Sequence, residues 1–378
     1  MTDTRFSDQI RPLRDEIDRI DTQILTLLAR RQEQVEQVAD LKKKCGMPVY
    51  HPAREEDMIS RLRTQAKGKG LDPDVTENLF RVIIRQSRVK QTFTMQYKGV
   101  RPGAAVLIVG GAGQMGAMFA SLFEKSGYGV RILTESDWES APQLCEGIDL
   151  ALVSVPIEHT VAVIEKIAPF LPATALLADL TSIKKAPVET MCESHGGPVL
   201  GLHPLFGPTT SSLDKQIIVY TPGRDMSAGH WLVEQMGLWG AIPVQASAVE
   251  HDEIMEIVQA LRHFATFCFG RFLFEKQVKI QRTLEFSSPI YRLELGMVGR
   301  LFAQDAGLYA QIVFATKERR DLLKQFVSSL TQHIEMLENK DIPVFTRQFN
   351  EIAEWFGPFS DQALRESTFL IDRLIERF

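Results

Sequence analysis

Three glycines at a fixed spacing follow a short apolar stretch, residues 106–109. Gly111, Gly113 and Gly116 form the pattern G-x-G-x-x-G between a predicted strand and a predicted helix. In this setting the first glycine allows a tight turn, the second lets the backbone approach a pyrophosphate, and the third lets helix and strand pack closely. The helix that follows presents free N–H groups to the phosphates. The spacing therefore predicts a dinucleotide-binding turn formed by Gly111, Gly113, Gln114, Met115 and Gly116.

A serine and a histidine lie where predicted strands end. Apolar runs that alternate with helical stretches predict strands at 130–133, 150–155, 175–180 and 199–203. Such an alternation forms a parallel, doubly wound sheet, whose ligand lies at the carboxyl ends of the strands. Ser182 and His203 lie at two of these ends, so their hydroxyl and imidazole are placed to face one ligand. From position alone, a hydrogen-bonded structural histidine is the alternative.

Two cations share one face of a predicted helix near the N-terminus. Arg31 stands where the apolar stripe of that helix calls for another apolar residue, and a charge there must be paired or functional. Lys42 comes 11 positions later, which returns it to within ~20° of the same face, whereas Arg14 lies roughly 100° away. Arg31 and Lys42 can therefore converge on one ligand, and an antiparallel partner helix can supply its own Arg14. The alternative is a solvated basic face.

Three predicted helices must position these cations. In the first, apolar residues recur every three or four positions from Leu13 to Val38, and nothing breaks the pattern before Gly46. Pro12 fits such a helix only in its first turn. The helix is about 33 residues and ~50 Å long, too long to fold back within one small domain, so we expect it to pair with a second copy of itself. The two helices that follow carry Arg54, Glu55, Ser87 and Gln91.

These helices resemble the short all-helical chorismate mutase domain over nearly all of residues 8–93. The resemblance implies that Arg31, Lys42 and the partner's Arg14 hold the carboxylates and the ether oxygen of chorismate. It also implies that the rest of the pocket consists of Arg54, Glu55, Ser87 and Gln91. The rearrangement of chorismate to prephenate needs a clamped conformer and positive charge at the breaking C–O bond, with no nucleophile and no redox group. The residue types suit that chemistry.

Further stretches of the chain resemble prephenate dehydrogenase. The residues 201–208 read Gly-Leu-His-Pro-Leu-Phe-Gly-Pro, and the other matching stretches are 248–252, 259–264 and 287–295. Together with the helical segment, nearly the whole chain resembles the bifunctional chorismate mutase–prephenate dehydrogenases of tyrosine biosynthesis. The resemblance implies that His203 takes a proton from prephenate, that Ser182 orients the reacting groups and that Arg300 binds the ring carboxylate. Arg292, eight positions earlier, is expected to support the fold or the adjacent site.

The implied hydride acceptor is a nicotinamide dinucleotide, and the end of the second predicted strand bears on which one. Related dehydrogenases usually carry an acid at the position of Thr134, which holds the ribose about 20 residues beyond the glycines. Here Glu135 and Asp137 follow instead. No arginine cluster follows that would hold a 2′-phosphate. We therefore expect NAD rather than NADP, and Thr134 leaves this choice open.

Composition excludes several other classes of protein. The chain has 378 residues, an apolar content of 44% and a net charge of −5, so no global field attracts nucleic acid. Its four cysteines include no CxxC pair, which predicts no disulfide framework, no metal site and a location in the reducing cytoplasm. No apolar run of 18 residues is present, so we expect no membrane span.

The predicted fold is multi-domain. It has an all-α chorismate mutase domain over 1–95, a linker over 96–104, a Rossmann-like α/β nucleotide-binding domain over 105–246 and an all-α substrate-binding and dimerisation domain over 247–378. We expect a homodimer, because striped C-terminal helices need a second subunit to cover them. Tyrosine is implied as a feedback inhibitor. Two alternatives stay open: a dehydrogenase whose decayed mutase serves only dimerisation, and a non-catalytic sensor of NAD.

Overall fold

A computed structural model describes residues 2–45, 52–94, 98–210 and 212–375. The chain folds into two compact units. The first unit comprises Met1–Val155, Thr160–Thr181 and Ala186–Ser247. The second unit comprises Pro156–His159, Ser182–Lys185 and Ala248–Phe378. Ser182 therefore belongs to the same unit as the C-terminal helices, although it follows a strand of the first unit.

The first unit begins with three helices, α1 (Thr2–Cys45), α2 (Pro52–Gly68) and α3 (Pro73–Thr94). Asp72 caps α3, because its Oδ1 accepts hydrogen bonds from the N–H groups of Asp74 and Val75 at 2.7 and 3.3 Å. The long first helix is confirmed, but it begins earlier than predicted, and Pro12 lies inside it. The expectation that Pro12 marks the first turn is wrong. The missing N–H removes one hydrogen bond, which a long, exposed helix tolerates.

A seven-stranded sheet follows, with the strand order β2-β1-β3-β4-β5-β6-β7. The strands are β1 (Ala105–Val109), β2 (Gly129–Leu133), β3 (Leu150–Val153), β4 (Leu176–Asp179), β5 (Val199–Pro204), β6 (Ile217–Arg224) and β7 (Ile242–Gln245). The first five strands are parallel, as predicted. Neither β6 nor β7 was predicted from the sequence, and β6 runs antiparallel to β5. The described chain between β5 and β6 contains no helix, and a parallel return needs a crossover that is usually helical.

Helices cover both faces of this sheet, so its central strands are apolar on both sides. They are α4 (Gln114–Lys125), α5 (Ala141–Cys145), α6 (Ile157–Ile167), α7 (Lys185–Ser194) and α8 (Met226–Leu238). In β1, Val106 and Ile108 face one core with Phe119, whereas Leu107 and Val109 face the other core. All four side chains of residues 106–109 are almost fully buried. The sheet is therefore rigid where the glycine-rich turn leaves β1.

The second unit is all-α apart from the two short segments. Its helices are α9 (Ala248–Met255), α10 (Arg262–Glu275), α11 (Ile280–Glu285), α12 (Pro289–Phe302), α13 (Ala306–Phe314), α14 (Lys317–Glu338), α15 (Ile342–Phe356) and α16 (Pro358–Ile375), with a π-helical segment, Glu256–Leu261, between α9 and α10. These elements confirm the predicted fold class. None of the helices in the described ranges has both the length and the apolar character that crossing a membrane requires.

Candidate functional site

The glycine-rich turn leaves β1 and leads into α4. Gly110 has a φ of +85°, and a Cβ there would lie 2.3 Å from the carbonyl oxygen of Ser154. The N–H of Gly113 donates to the carbonyl oxygen of Gly110 at 3.0 Å. The tight turn was predicted at Gly111, but the residue with the left-handed backbone is Gly110, one position earlier. The correction has a steric reason, since a positive φ and a clash with the carbonyl oxygen of Ser154 both exclude a side chain at Gly110.

The third glycine of the pattern brings α4 against the turn, as predicted. A Cβ on Gly116 would lie 2.6 Å from the carbonyl oxygen of Gly110. Gly113 is the N-cap of α4 and provides no side-chain hydrogen bond to the first turn. Gln114 is exposed and Met115 is half-buried. The turn and the helix N-terminus thus form a cradle of backbone N–H groups with little side-chain bulk, which fits a pyrophosphate.

His203 lies near the carboxyl end of β5 and is only 2% exposed. It pairs in register with Val219 of β6, while Gly201 of the same strand pairs with Asp179 at the end of β4. Asp179 is fully buried, and its Oδ2 accepts a hydrogen bond from the N–H of Thr181 at 2.9 Å. The histidine therefore stands at the edge of the sheet where ligands of such folds bind.

Ser182 lies in a short segment of the second unit, Ser182–Lys185. Hydrogen bonds with residues of α9 and α14 hold this segment in place. Its carbonyl oxygen accepts a hydrogen bond from Nη2 of Arg319 at 3.3 Å. The N–H groups of Lys184 and Lys185 donate to the carboxylate of Asp252 at 2.8 and 2.9 Å. Sequence reasoning assigned no role to Arg319 or Asp252, because their partners are distant in the chain. The two residues fix the backbone on both sides of Ile183.

Asp252 is ionised although it is largely buried. Burial raises its pKa, but hydrogen bonds from His251 and from the N–H groups of Lys185 and Lys184 outweigh this effect, so the pKa lies below its usual value. Nδ1 of His251 lies 2.7 Å from Oδ1 of Asp252. A negative charge thus holds the backbone of Lys184 and Lys185 within the second unit.

The two arginines of α12 lie in different surroundings. Arg300 is in the last turn and is exposed. Arg292 is half-buried, and its Nη2 donates to the carbonyl oxygen of Leu284 at 2.5 Å. This contact joins α12 to α11 through Arg292, whereas Arg300 is the more exposed of the two residues.

His263, in a stretch that carried the resemblance, received no role from the sequence. It is 7% exposed, and its ring meets that of Tyr309 edge to face at 4.7 Å between centroids. Its Nδ1 has no hydrogen-bond partner among the residues that the structure describes. Burial, helped by the charges of Arg262 and Arg319, lowers the pKa of His263 to about 4. The imidazole is therefore neutral at physiological pH.

In the N-terminal helices, the structure brings together two of the predicted site residues. Nη1 of Arg31, on α1, donates to Oγ of Ser87, on α3, at 2.8 Å. The Ser87 hydroxyl donates in turn to the carbonyl oxygen of Ile83 at 2.8 Å, and its side chain is buried. Burial lowers the pKa of Arg31, although an arginine still keeps its charge at any physiological pH. A half-buried, hydrogen-bonded cation thus stands on the apolar stripe, as predicted.

The other predicted mutase residues differ in how far they are exposed. Arg14 and Arg54 are exposed, and Glu55 is half-buried. Glu55 lines a cleft of about 270 Å³ with Arg81, Ile84, Arg85, Asp214 and Lys215. The side chains of Lys42 and Gln91 lie outside the described part of the structure. The contact of Arg31 with Ser87 thus joins two of the predicted mutase residues.

Three family models match the chain. Residues 13–92 match chorismate mutase type II, residues 127–242 match the nucleotide-binding domain of prephenate dehydrogenase, and residues 247–351 match the dimerization domain of prephenate dehydrogenase. The glycine-rich turn precedes the second matched range, so its assignment depends on the geometry described above.

Two relatives match over nearly their whole length. The T-protein of Enterobacter agglomerans is 42% identical over 366 residues, which cover 96% of this chain and 97% of that protein. The T-protein of Haemophilus influenzae is 40% identical over 369 residues, which cover 97% and 98%. A similar fold is found in a solved structure of prephenate dehydrogenase from A. aeolicus in complex with hydroxyphenyl propionate and NAD+. The TM-score is 0.53 at 18% sequence identity, and the match covers 67% of this chain and 97% of that chain.

Proposed function

This chain belongs to the T-protein family and joins a chorismate mutase to a prephenate dehydrogenase, and we propose that it catalyses two consecutive steps of tyrosine biosynthesis. The mutase converts chorismate to prephenate. The dehydrogenase then oxidatively decarboxylates prephenate to 4-hydroxyphenylpyruvate and CO2. The observation that carries this function is the match at 42% identity over 96% of the chain, which spans both catalytic domains.

For the mutase, cations clamp the substrate and stabilise the charge that develops at the breaking C–O bond. Arg31 supports this role because Ser87 holds its half-buried guanidinium in one orientation. Together, Arg31, Lys42 and the partner's Arg14 hold the two carboxylates and the ether oxygen of chorismate. Arg54, Glu55 and Gln91 complete the proposed pocket.

For the dehydrogenase, the cradle formed by Gly111, Gly113, Gln114, Met115 and Gly116 holds the pyrophosphate of NAD. NAD, when bound, supplies the hydride acceptor. The fit is supported by the closeness of Gly116 to Gly110, where a Cβ would lie 2.6 Å from the carbonyl oxygen. The open first turn of α4 supports it as well.

Three side chains remove the proton from prephenate, orient the reacting groups and bind the ring carboxylate. His203 accepts a hydrogen bond from the ring hydroxyl and then takes its proton, which a neutral imidazole can do near pH 7. Ser182 orients the imidazole or the hydroxyl. Arg300 binds the ring carboxylate through its exposed guanidinium. The hydroxyl loses its proton, the same ring carbon gives up a hydride that bound NAD would accept, and the electron pair of the C–CO2 bond completes the aromatic ring as CO2 leaves. Until then, Arg300 holds that carboxylate in place.

The assembly we propose is a homodimer that works in the cytoplasm. The dimerization-domain match over residues 247–351 and the exposed apolar faces of the C-terminal helices support the dimer. Tyrosine is the proposed feedback inhibitor, since its ring and carboxylate resemble the product. We keep the boundaries 1–95, 96–104, 105–246 and 247–378 as the proposed limits of the domains and the linker.

Two single substitutions test whether the two activities use separate residues. We expect His203→Asn to lower dehydrogenase turnover about 10²–10⁴-fold, with prephenate still bound and the mutase rate unchanged. We expect Arg31→Gln to lower the mutase rate about 10²-fold or more, with the dehydrogenase unchanged. Loss of chorismate absorbance without NAD reports the mutase activity, and formation of NADH from prephenate reports the dehydrogenase activity.

Each outcome separates the proposal from its alternatives. Near-normal dehydrogenase turnover in His203→Asn would refute the role of that histidine. A wild-type chain that oxidises prephenate but leaves chorismate intact would be a dehydrogenase with a decayed mutase. A chain that binds NAD and turns over neither substrate would be a sensor.

A further inference from the structure

The carboxyl end of β2 lies level with the glycine-rich turn. Val109 of β1 pairs with Leu133 of β2, and the N–H of Gly110 donates to the carbonyl oxygen of Leu133 at 2.8 Å. Thr134 is therefore the residue that stands beside the turn. In dinucleotide-binding folds, the group at this strand end faces the adenosine ribose and distinguishes its 2′-hydroxyl from a 2′-phosphate.

A turn brings a carboxylate to this strand end, although Thr134 itself carries no charge. The N–H of Asp137 donates to the carbonyl oxygen of Thr134 at 3.2 Å. In return, Oδ2 of Asp137 accepts hydrogen bonds from the N–H of Thr134, at 3.2 Å, and from its hydroxyl. The hydroxyl of Ser136 donates to Oδ1 at 3.1 Å. The carboxylate of Asp137 therefore lies directly against the end of β2.

This carboxylate is ionised and can accept a further hydrogen bond. The hydroxyls of Thr134 and Ser136 lower the pKa of Asp137. A carboxylate offers about four acceptor positions, whereas the hydrogen bonds described here occupy three of them. The side chain is half-buried, so one edge remains open to a ligand.

The arginine of β2 interacts with other groups. Nη1 of Arg131 donates to the carbonyl oxygens of Leu144 and Glu146 at 2.9 and 2.6 Å. A 2′-phosphate is usually accommodated by an arginine near this strand end. These two carbonyl oxygens, rather than Asp137, hold the guanidinium of Arg131.

We propose that Asp137 selects NAD over NADP in this chain, in place of an acid at position 134. Its carboxylate accepts a hydrogen bond from the 2′-hydroxyl of the adenosine ribose and repels the 2′-phosphate of NADP. This inference rests on the proposed NAD site. It means that the selecting acid lies three residues further along the chain, and that Thr134 holds it in place.

Calorimetric titration of the full-length chain with NAD and with NADP tests this inference without any turnover. The ratio of the two Kd values, measured on one preparation, is independent of the fraction that folds. We expect Asp137→Asn to reduce the preference for NAD roughly tenfold or more, as loss of a charge-assisted hydrogen bond requires. The matched control is Glu135→Gln, which removes the same charge from an exposed position on the same turn and should change the ratio less than about threefold.

A double variant serves as a rescue. Thr134→Asp combined with Asp137→Asn places an acid at the strand end and should restore the preference for NAD. If Asp137→Asn binds neither nucleotide, regained NAD binding in the double variant supports the inference, and failure to regain it overturns the inference. An unchanged ratio in Asp137→Asn, or an equal change in Glu135→Gln, also overturns it. A wild-type chain that binds neither nucleotide would instead contradict the proposed function.

Discussion

Arg292 and Arg300, on one helix, lie in different surroundings, and we propose a structural role for the first and substrate binding for the second. They are eight positions apart, so their side chains leave α12 roughly 80° from each other. Arg292 is half-buried and donates to the carbonyl oxygen of Leu284, whereas Arg300 is exposed. An anionic substrate can therefore reach Arg300 without displacing a hydrogen bond that holds α11 and α12 together.

Substitution of Arg300 should change the KM for prephenate, whereas substitution of Arg292 should change the stability of the fold. Arg300→Gln removes a charged hydrogen bond to the ring carboxylate, so we expect KM for prephenate to rise about 10- to 100-fold while kcat changes less. Arg292→Gln should leave KM near the wild-type value but lower the melting temperature. Steady-state kinetics with varied prephenate and thermal unfolding measure the two effects. An unchanged KM in Arg300→Gln would remove that residue from the site.

At the residue scale, side-chain types predicted the chemistry, but local geometry depended on packing. The glycine spacing located the turn. However, the glycine whose Cβ would clash with the carbonyl oxygen of Ser154, at the end of a neighbouring strand, is Gly110. His263 stood in a matching stretch, but its burial, which lowers its pKa to about 4, depends on residues far away in the chain. Such contacts between distant residues cannot be derived from the spacing of one sequence.

At the scale of elements, the predicted linker is partly docked. Gln235 on α8 is fully buried, and its Oε1 accepts hydrogen bonds from the N–H of Val100 at 2.8 Å and from the hydroxyl of Tyr128 at 2.7 Å. A Cβ on Gly99 would lie 2.5 Å from the carbonyl oxygen of Ser126. The polar composition of residues 96–104 predicted a linker, but it gave no sign of a distant glutamine that fixes one end.

Gln235→Leu should loosen this segment. The change keeps the volume but leaves the N–H of Val100 and the hydroxyl of Tyr128 without their acceptor, which costs about 1–3 kcal/mol for each buried group. We expect a lower melting temperature and faster cleavage by an added protease between residues 95 and 104. Gln245→Leu is the matched control, because Gln245 also accepts a tyrosine hydroxyl, at 3.0 Å, but from an exposed position. Equal cleavage rates in the two variants would show that Gln235 does not anchor the segment.

Elements with strong periodic patterns were predicted well, and those without such patterns were missed. The strands β1, β3, β4 and β5 are buried apolar runs, and the structure confirms them. The edge strand β2 is confirmed as well, although only Leu133 is buried in it. In β7, by contrast, Ile242 and Val244 are exposed, so this edge strand gives no continuous apolar run. The antiparallel direction of β6 depends on the path of the preceding loop, which no local pattern encodes.

At the scale of the molecule, long apolar faces are exposed among the residues that the structure describes. On α1, the exposed stripe consists of Leu13, Ile17, Ile20, Ile24 and Leu27. In the second unit, α15 and α16 bury no residue among those described, and Trp355 is 79% exposed. Soluble monomers rarely expose contiguous apolar patches of this size. A second copy of the chain, as the helix length of α1 predicted, would cover these faces.

An antiparallel pairing of α1 has a consequence that a hybrid dimer can measure. If each mutase site combines Arg31 of one subunit with Arg14 of the other, Arg14→Gln and Arg31→Gln should each inactivate the mutase. Co-expression of the two variants makes about half of the dimers mixed, and each mixed dimer has one intact site of two, so about one quarter of the wild-type mutase activity should return. Dehydrogenase activity in the same samples is the internal control. A mutase rate that stays at the level of the separate variants would show that Arg14 and Arg31 serve the same subunit's site.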